Sequence, residues 1–505
     1  MKSNKTLYRI FIILGFLGIN AAVLFGISQV MAYLNTGADR AKMLHLDSNE
    51  KRPYIPETIW TSLDNPGRPI EKANLTKIER DYLDAWQAKN DAFFTGDTRG
   101  IFDHYTTKAR AKIEALITAN SDTKTFIETT THRHHLALEF YSADGTLVVL
   151  TDKNVWGTQR FYQSENLISQ QDFNDDYKVI LLLEDGFWRV RHIEKIATHP
   201  IPVSATVDVA RLAQMQGVNY YPQHSPWDTF GPSFDTDTLD RDFKIIKDLR
   251  LNTIRVFIGY KDFGKAYVPQ KKLERLQLLL NQAHSNNLGV VVTLFDFYGD
   301  YSMQDWTHTN AHLKQIVTAV KEHPALVGWD IKNEPDLDFD SRTKSNVLSW
   351  LQQSIRYLKS IDNTHFVTIG WSNPTAALLL EDQVDLVSYH YYKELQDLAT
   401  VHQRLSKATT KPVFLQEFGL SSYHGFWNMF GPDQEDQAAY YQKFVEIQKR
   451  DSLHYLFWTL YDFENIPQNV AGDLPWRKNK QAYFGIINKS GVKDKAYTIL
   501  KNRLD

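Results

Sequence analysis

The sequence predicts an α/β protein in which a (β/α)8 TIM barrel follows a small α+β domain and an N-terminal transmembrane helix. Three observations support this prediction. Strand-like and helix-like segments alternate from about residue 205 onward, helical patterns precede strand patterns between residues 71 and 199, and an apolar run lies near the amino terminus. Strands that alternate with amphipathic helices are typical of a parallel sheet covered by helices.

Length, net charge and cysteine content limit the functional classes to which the protein can belong. A chain of 505 residues is long enough for two or three domains, and 43% apolar residues suffice for large cores. The net charge is −3, with both signs dispersed, so we expect no nucleic-acid partner. The chain has no cysteine, which excludes disulfides and thiolate metal sites. We expect neither a metal nor a cofactor.

The amino-terminal segment predicts a membrane anchor. Basic residues in the tail 1–9 precede an apolar run at 10–34, and a helix needs ~20 apolar residues to cross a bilayer. The apolar centre of a cleaved signal peptide is shorter, ~7–15 residues. We therefore predict a cytoplasmic tail, an uncleaved single-pass anchor in the cell membrane, and a body outside the cytoplasm. A cleaved signal peptide and a buried soluble helix are the alternatives.

Residues 35–70 are predicted to form a linker, because prolines punctuate them and no periodicity persists. Residues 71–199 predict an α+β domain. Its expected helices and strands are 75–94, 107–117, 136–141, 146–151, 177–183 and 188–193. This order resembles an NTF2-like domain, with another small α+β module as the alternative. The resemblance implies a cone that could bind a ligand, form a homodimer or serve as a spacer.

Histidines alternate along the first of these strands, at His132 and His134, with His135 beside them. We expect ordinary surface residues there, and a metal site is the alternative.

Pro200 and Pro202 mark the start of the predicted barrel, 200–505, at a boundary where we expect few contacts to cross. The expected strands are 217–221, 253–258, 289–295, 326–334, 365–371, 385–392, 412–418 and 456–461. Amphipathic segments between them include 239–249, 273–285, 313–322 and 344–359. Eight strands with intervening helices fit a (β/α)8 barrel.

The fourth of these strands carries the clearest chemical signal. Apolar residues at 327, 329 and 331 alternate with Gly328, Asp330 and Lys332, which predicts that the charged set points into the barrel. Glu334 then lies at the carboxyl end of the strand, where the active sites of such barrels are built.

Two motifs carry a family resemblance. W-D-x-x-N-E-P at 329–335 and L-Q-E-F-G at 415–419 resemble the acid/base and nucleophile strands of retaining glycoside hydrolases of the cellulase/mannanase superfamily (family 5-like, clan A). The resemblance covers about residues 205–505 and implies a glucan or mannan substrate. Where many cellulase-type members carry a histidine, this chain reads T-L-F-D-F-Y-G-D-Y at 293–301, a version closer to mannanase-like branches.

The resemblance implies that Glu334 is the general acid/base and Glu417 the nucleophile. Retention requires two carboxyl groups ~5–5.5 Å apart, and barrel closure brings the two strand ends to one mouth. We expect burial and the charge of Glu417 to raise the pKa of Glu334. Two unrelated surface or salt-bridged glutamates are the alternative.

Supporting residues follow from the same resemblance. Arg255 is expected beside the nucleophile, with pairing to Asp330 as the alternative. Asn333 is expected to bind the sugar 2-hydroxyl, Tyr392 to donate to the nucleophile, and His390 to lie near the acid/base.

Two tryptophans complete the expected site. Trp458 matches a residue on which sugars stack, and Trp371 is a further candidate for substrate contact. Ordinary core packing is the alternative for both, as it is for His390 and Tyr392.

The sequence thus predicts a membrane-anchored retaining β-glycoside hydrolase acting on a β-linked polysaccharide or oligosaccharide. A transglycosylase using the same glutamates and a catalytically inactive sugar-binding scaffold are the alternatives.

Overall fold

The computed structural model describes residues 14–16, 18–20, 22–27, 52–201, 207, 214–425 and 428–504. Most of the predicted anchor at 10–34, the tail at 1–9 and the linker up to residue 51 lie outside the described residues. Within the described ranges, no helix is long and apolar enough to cross a membrane. The chain divides into two compact units, Met1–Pro53 and Tyr54–Asp505, and the second contains all the elements below.

An α+β module comes first in this unit. Its elements are β1 (Glu57–Ser62), α1 (Lys72–Thr95), a 3-10 turn (Arg99–Phe102), α2 (Thr107–Asp122), β2 (Thr125–Tyr141), β3 (Leu147–Gln163), β4 (Asn166–Glu184) and β5 (Phe187–Thr198). The sheet order is β1-β2-β3-β4-β5, with β1 parallel to β2 and the other pairs antiparallel. The two helices and four strands expected between 71 and 199 are confirmed, although the strands are longer than predicted.

Strand β1 corrects the predicted linker. The prolines of this segment flank β1 instead of interrupting it, which leaves E-T-I-W-T-S free to pair with β2. Trp60 packs against the module core, and its Nε1 donates to Glu79 Oε2 of α1 at 2.8 Å. The strand is therefore fixed from both sides.

The strand histidines also differ from expectation. His132 and His134 are fully buried. His134 Nδ1 lies 2.5 Å from Asp152 Oδ2, and its Nε2 lies 2.6 Å from Thr131 Oγ1. Each ring is thus held by polar partners inside the protein, which is how buried polar groups are normally accommodated. The expectation of surface histidines at 132 and 134 is wrong.

The barrel follows. Its strands are β6 (Gln216–Asn219), β7 (Thr253–Gly259), β8 (Gly289–Asp296), β9 (Leu326–Asn333), β10 (Phe366–Gly370), β11 (Val387–Tyr391), β12 (Val413–Phe418) and β13 (His454–Phe457). Its helices are α3 (Thr236–Asp248), α4 (Gln270–Ser285), α5 (Trp306–Val320), α6 (Phe339–Arg342), α7 (Lys344–Ile361), α8 (Leu398–Ala408), α9 (Gln434–Asp451), α10 (Gln468–Ala471), α11 (Pro475–Ala482) and α12 (Lys495–Lys501). Short 3-10 turns lie at Met303–Asp305, Pro335–Asp338 and Leu395–Asp397.

All eight strands are parallel, in the order β10-β9-β8-β7-β6-β13-β12-β11. A parallel bridge between Trp371 and Tyr389 joins the two ends of this order, so the sheet closes. The predicted barrel is confirmed. Only the last strand is clearly displaced, since it ends at Phe457 instead of residue 461.

Apolar and polar residues alternate along the barrel strands, so that one set faces the surrounding helices and the other faces the barrel interior. On β7, Ile254, Val256 and Ile258 are fully buried in the core around the barrel, whereas Arg255 between them joins the polar interior. On β9, Asp330 is fully buried and Lys332 is 5% exposed, as the inward-facing pattern predicts.

The module and the barrel share a polar and aromatic interface, which contradicts the expected sparse boundary. Glu57 of β1 accepts hydrogen bonds from Arg133 Nε (2.7 Å), Lys314 Nζ (2.8 Å) and Tyr357 OH (3.1 Å). Trp156 of β3 stacks on Tyr357 of α7 and belongs to the barrel core cluster. Strands of the module therefore pack directly against helices of the barrel.

Candidate active site

The two predicted glutamates meet at the carboxyl end of the barrel. Glu334 follows β9 with φ 47° and ψ 50°, and its N–H donates to Gly370 O at 2.6 Å. Such left-handed backbone costs ~1–3 kcal/mol in a non-glycine residue and clusters at functional sites. Glu417 lies near the end of β12.

The distance between Glu334 and Glu417 can be compared with the spacings of retaining and inverting glycosidases. One carboxylate oxygen from Glu334, one from Glu417 and a ring nitrogen of His390 all lie within 4.8 Å of one another. Retaining glycosidases hold the two carboxyl groups ~5–5.5 Å apart, whereas inverting enzymes leave ~6.5–9.5 Å for a water molecule. The distance between the two glutamates is nearer to the first of these spacings than to the second.

Arg255 connects Glu417 of β12 with Asp330 of β9. Its Nη1 donates to Glu417 Oε1 and its Nη2 to Asp330 Oδ2, each at 2.6 Å. Nη2 also donates to Asn333 Oδ1 at 2.8 Å. The expected contact with Glu417 and the alternative pairing with Asp330 therefore both occur.

Two donors hold the carboxylate of Glu417. Arg255 contributes a positive charge, and Tyr392 OH donates to Glu417 Oε2 at 2.8 Å. Tyr392 is 42% exposed, but loss of water around its hydroxyl and the charge of Glu417 raise its pKa well above the usual value, so the phenol remains a donor. Each oxygen of Glu417 therefore has a donor within 2.8 Å.

Glu334 is paired with His390. His390 is fully buried, and its Nδ1 lies 2.9 Å from Glu334 Oε1 and 3.4 Å from Glu417 Oε2. Burial alone would lower the pKa of His390, but the two carboxylates outweigh it and raise that pKa.

The effect on Glu334 corrects an expectation. Burial raises the pKa of Glu334, but the hydrogen bond and charge of His390, with Arg255 and Lys332 further off, outweigh burial and lower it. The expected raised pKa of Glu334 is therefore wrong for the unliganded site. His390 and Glu334 instead act as a pair that holds one proton across a 2.9 Å contact.

Glu334, His390 and Glu417 are also the one group of candidate metal ligands found among the residues with described positions. Their ligand atoms already have close partners, because Arg255 and Tyr392 occupy both oxygens of Glu417 and His390 faces Glu334. A cation would have to enter beside the Arg255 guanidinium. The donor set suits two catalytic carboxylates better than a metal.

A cavity of about 700 Å³ opens over the two glutamates. Trp458 and Asn333 line it, as predicted. Trp458 packs near Tyr221 and Trp227, with ring centroids 6.1 Å away in both cases. Trp371 is only 2% exposed and packs against Phe339, so the structure does not bring it to this cavity.

Several lining residues were missed by the sequence reasoning: Asp296, Lys332, Trp227, Arg477 and Lys480. The first two carried a signal, since Asp296 belongs to the acidic segment 293–301 and Lys332 to the inward set of β9. Burial raises the pKa of Asp296 to about 7. The other three lie in loops or on α11, where the pattern gives no indication of their direction.

Comparison with known proteins agrees with this geometry. Residues 277–473, less than half of the chain, match the TIM barrel domain of glycosyl hydrolases family 2. The β-glucuronidase of Sus scrofa is 24% identical over 301 residues, which cover 55% of this chain and 44% of the relative. The human β-glucuronidase is 25% identical over 276 residues, covering 51% of this chain and 40% of the relative. The chain thus spans less than half the length of these glucuronidases.

A second group of relatives consists of mannanases. The probable mannan endo-1,4-β-mannosidase A of Aspergillus oryzae is 21% identical over 198 residues, or 30% of this chain and 51% of the relative. Among solved structures, an exo-β-1,4-mannosidase from Opitutaceae bacterium strain TAV5 covers 59% of this chain and 62% of its own, with 16% identity and a TM-score of 0.48. The barrel of this chain is therefore similar in sequence to the TIM barrels of glycoside hydrolases.

Proposed function

We propose that this chain is a membrane-anchored retaining β-glycoside hydrolase that cleaves a β-linked polysaccharide or oligosaccharide by double displacement. The observation that carries the proposal is the carboxylate pair, Glu334 and Glu417, with ligand atoms within 4.8 Å and with different partners. Arg255 and Tyr392 hold Glu417, whereas His390 holds Glu334. Two carboxyl groups placed in different environments suit two different roles.

In the first step, a Glu417 oxygen attacks the anomeric carbon while the bond to the leaving oxygen breaks. Glu334 transfers its proton to that oxygen, and a glycosyl-enzyme ester forms. In the second step, Glu334 removes a proton from water, and the hydroxide attacks the same carbon and releases Glu417. His390 keeps the transferable proton within the pair, and Asn333 faces the sugar from the end of β9.

A mannan or a glucan is the proposed substrate class. The mannanase relative and the acidic segment 293–301, which supplies Asp296 to the cavity, favour a mannan and a family 5-like reaction. The family model and the glucuronidases match a different hydrolase family over the same barrel. A transglycosylase would use the same glutamates with a sugar acceptor in place of water.

A β-linked uronide is a second candidate substrate, and three cations in the lining of the cavity favour it. Lys332, Arg477 and Lys480 all line the space over the glutamates. Cations of this kind suit a sugar carboxylate. Product analysis on matched β-mannoside, β-glucoside and β-glucuronide oligosaccharides separates these substrate classes, and hydrolysis of none of them would favour the inactive scaffold.

The division of roles has its own test. Glu417→Ala should abolish turnover and covalent labelling by a fluorinated glycoside, because the nucleophile is lost. Glu334→Ala should still form the glycosyl-enzyme from a substrate whose leaving group needs no proton, and azide should restore turnover and give the β-azide. A β-azide from Glu417→Ala, or an α-azide from Glu334→Ala, would mean reversed roles, and an inverted product from the unaltered enzyme would exclude double displacement.

The anchor and the location of the body belong to the same proposal. They are supported by the basic tail 1–9 and the apolar run 10–34. Protease added to intact cells, or to spheroplasts, should digest the body. A body that stays protected until the membrane is lysed would reverse the orientation. The NTF2-like resemblance of the module, with the homodimer it implies, stays a prediction.

A further inference from the structure

A second cavity lies in the α+β module, apart from the residues of the barrel site. Its volume is about 440 Å³, within the ~300–1,000 Å³ that small-molecule sites occupy. Both helices and three of the strands contribute to it. The lining residues are Lys89, Asn90, Phe93, Tyr105, Lys108, Ala109, Lys112, Ile113, Leu116, Ile127, Thr129, Gln159, Arg191, His192 and Ile193.

The charged side chains that line this cavity are all basic. Four cations line it, Lys89, Lys108, Lys112 and Arg191, and no aspartate or glutamate does. Throughout the described part of the chain, none of the four has a carboxylate within ion-pair distance. Lys108 and Lys112 are four residues apart on α2, where like charges repel and destabilise the helix slightly. Such an arrangement favours an anion.

Two buried polar groups point to the same chemistry. Lys89 is partly buried with its Nζ 3.7 Å from the centre of the Trp86 ring, and burial lowers its pKa to about 8. Asn90 is 6% exposed, and its Nδ2 donor has no hydrogen-bond partner. A buried donor without a partner is unusual, since folded proteins satisfy nearly all such groups. An anionic head group would accept from Asn90 and neutralise Lys89.

The remaining lining is mainly apolar, with Thr129, Gln159 and His192 as its polar members. Ile113, Leu116, Ile127 and Ile193 come from α2, β2 and β5 and line the same space. Aliphatic walls cannot satisfy the hydroxyl groups of a sugar, and leaving such groups without partners is costly. They do favour an alkyl chain, because the transfer of methylene groups from water to an apolar surface is favourable.

We propose that this cavity binds a single-chain amphiphile with an anionic head group, whose charge meets the lysines and Arg191 while its alkyl chain packs against the isoleucines. The site is independent of the glycosidase proposal. It gives the module a role as a sensor or carrier of such a molecule beside the barrel.

Decanoate is a suitable probe, used with the full chain held in a non-ionic amphipol and measured by titration calorimetry. Saturable binding to one site is expected. Lys89→Met and Arg191→Met should each raise the dissociation constant at least tenfold, and Ala109→Trp should abolish binding by filling the space. Lys89→Arg keeps the charge and should stay within threefold. Lys443→Met, at an exposed lysine of α9, is the matched control and should change nothing.

Three results would overturn the proposal. One is absence of saturable decanoate binding, or binding that Lys89→Met and Arg191→Met leave unchanged. The second is equal binding of decyltrimethylammonium, which has the same chain and the opposite charge. The third is binding of tetragalacturonate with displacement of decanoate, which would make the cavity an acidic-saccharide site. Glycosidase activity is not a readout here, so failure of either proposal leaves the other unaffected.

Discussion

Two residues at the carboxyl end of the barrel have shifted pKa values that a pH profile can test. His390 and Glu334 share one proton, and the last proton leaves this pair at the raised pKa of His390. In His390→Asn, only Glu334 can hold that proton. The alkaline limb of kcat/KM, which reports the free enzyme, should therefore move to lower pH. Stopped assays across pH 5–9 would measure the shift.

The control for this variant is His308→Asn, at a histidine near the start of α5 that does not line the cavity. It should keep the pH profile of the unaltered enzyme. An alkaline limb that stays in place in His390→Asn would show that a group outside the His390–Glu334 pair sets it.

Asp296 offers a second test, on stability. Burial raises its pKa from about 3.8 to about 7, so the folded state binds a proton that the unfolded state has already lost. Its favourable contribution is complete below pH 4 and is lost as pH rises through 7. Asp296→Asn does not titrate. Its free energy of unfolding relative to the unaltered chain should rise between pH 4 and 7, by at most about 4 kcal/mol.

Urea unfolding at several pH values measures this difference. Glu322→Gln, at a side chain that is 90% exposed, should show no such trend. A constant difference for Asp296→Asn across the range would contradict a buried, protonated carboxyl group.

Among the elements, β10 is shaped to leave room for the Arg255 guanidinium. A Cβ at Gly370 would lie 2.9 Å from Arg255 Nη2 and 2.9 Å from Gln416 Oε1. Gly370→Ala should therefore displace Arg255 from Glu417 and lower kcat at least tenfold. Overpacking of this kind typically costs 1–3 kcal/mol. Steady-state kinetics and urea unfolding together measure both effects.

Gly100→Ala is the matched control, because a Cβ there would meet nothing within 4 Å. It should preserve kcat and stability. If Gly370→Ala also keeps full activity, the position of Arg255 is less constrained than the packing of β10 indicates.

On the scale of the whole molecule, module and barrel should unfold together. Trp156 of β3 is 6% exposed and stacks on Tyr357 of α7. Trp156→Ala should lower the free energy of unfolding by about 3–5 kcal/mol and should speed hydrogen exchange in α5 and α7 as well as in the module sheet. Phe102→Ala, at an exposed ring of the module, should do neither. Faster exchange confined to the module would mean that the two parts are independent.

The sequence predicted the barrel well because its strands are buried runs whose inward residues break a regular apolar pattern. The structure brings Glu334, Glu417, Arg255, His390 and Tyr392 together at the carboxyl end of the barrel, since strand ends in such a barrel converge, and their catalytic roles stay predictions. The contacts that these residues make depend on distances across the barrel, which no local pattern contains.

The failures have physical causes of the same kind. His132 and His134 were expected at the surface because their partners, such as Asp152 and Asn310, are distant in sequence. Trp371 has the residue type of a sugar platform, but the side chain lies in the core. The lowered pKa of Glu334 follows from a histidine on another strand, whose charge outweighs burial.

The position of β1 has a mechanical consequence. The chain enters the compact unit at Tyr54, and β1 is the first element to be held there. Its ladder to β2 and the three contacts of Glu57, to Arg133, Lys314 and Tyr357, connect it at once to the module and to two barrel helices. A pulling force applied through the amino-terminal segment would act first on these contacts of β1. The force would reach the strands that carry Glu334 and Glu417 only after the contacts of β1 had broken.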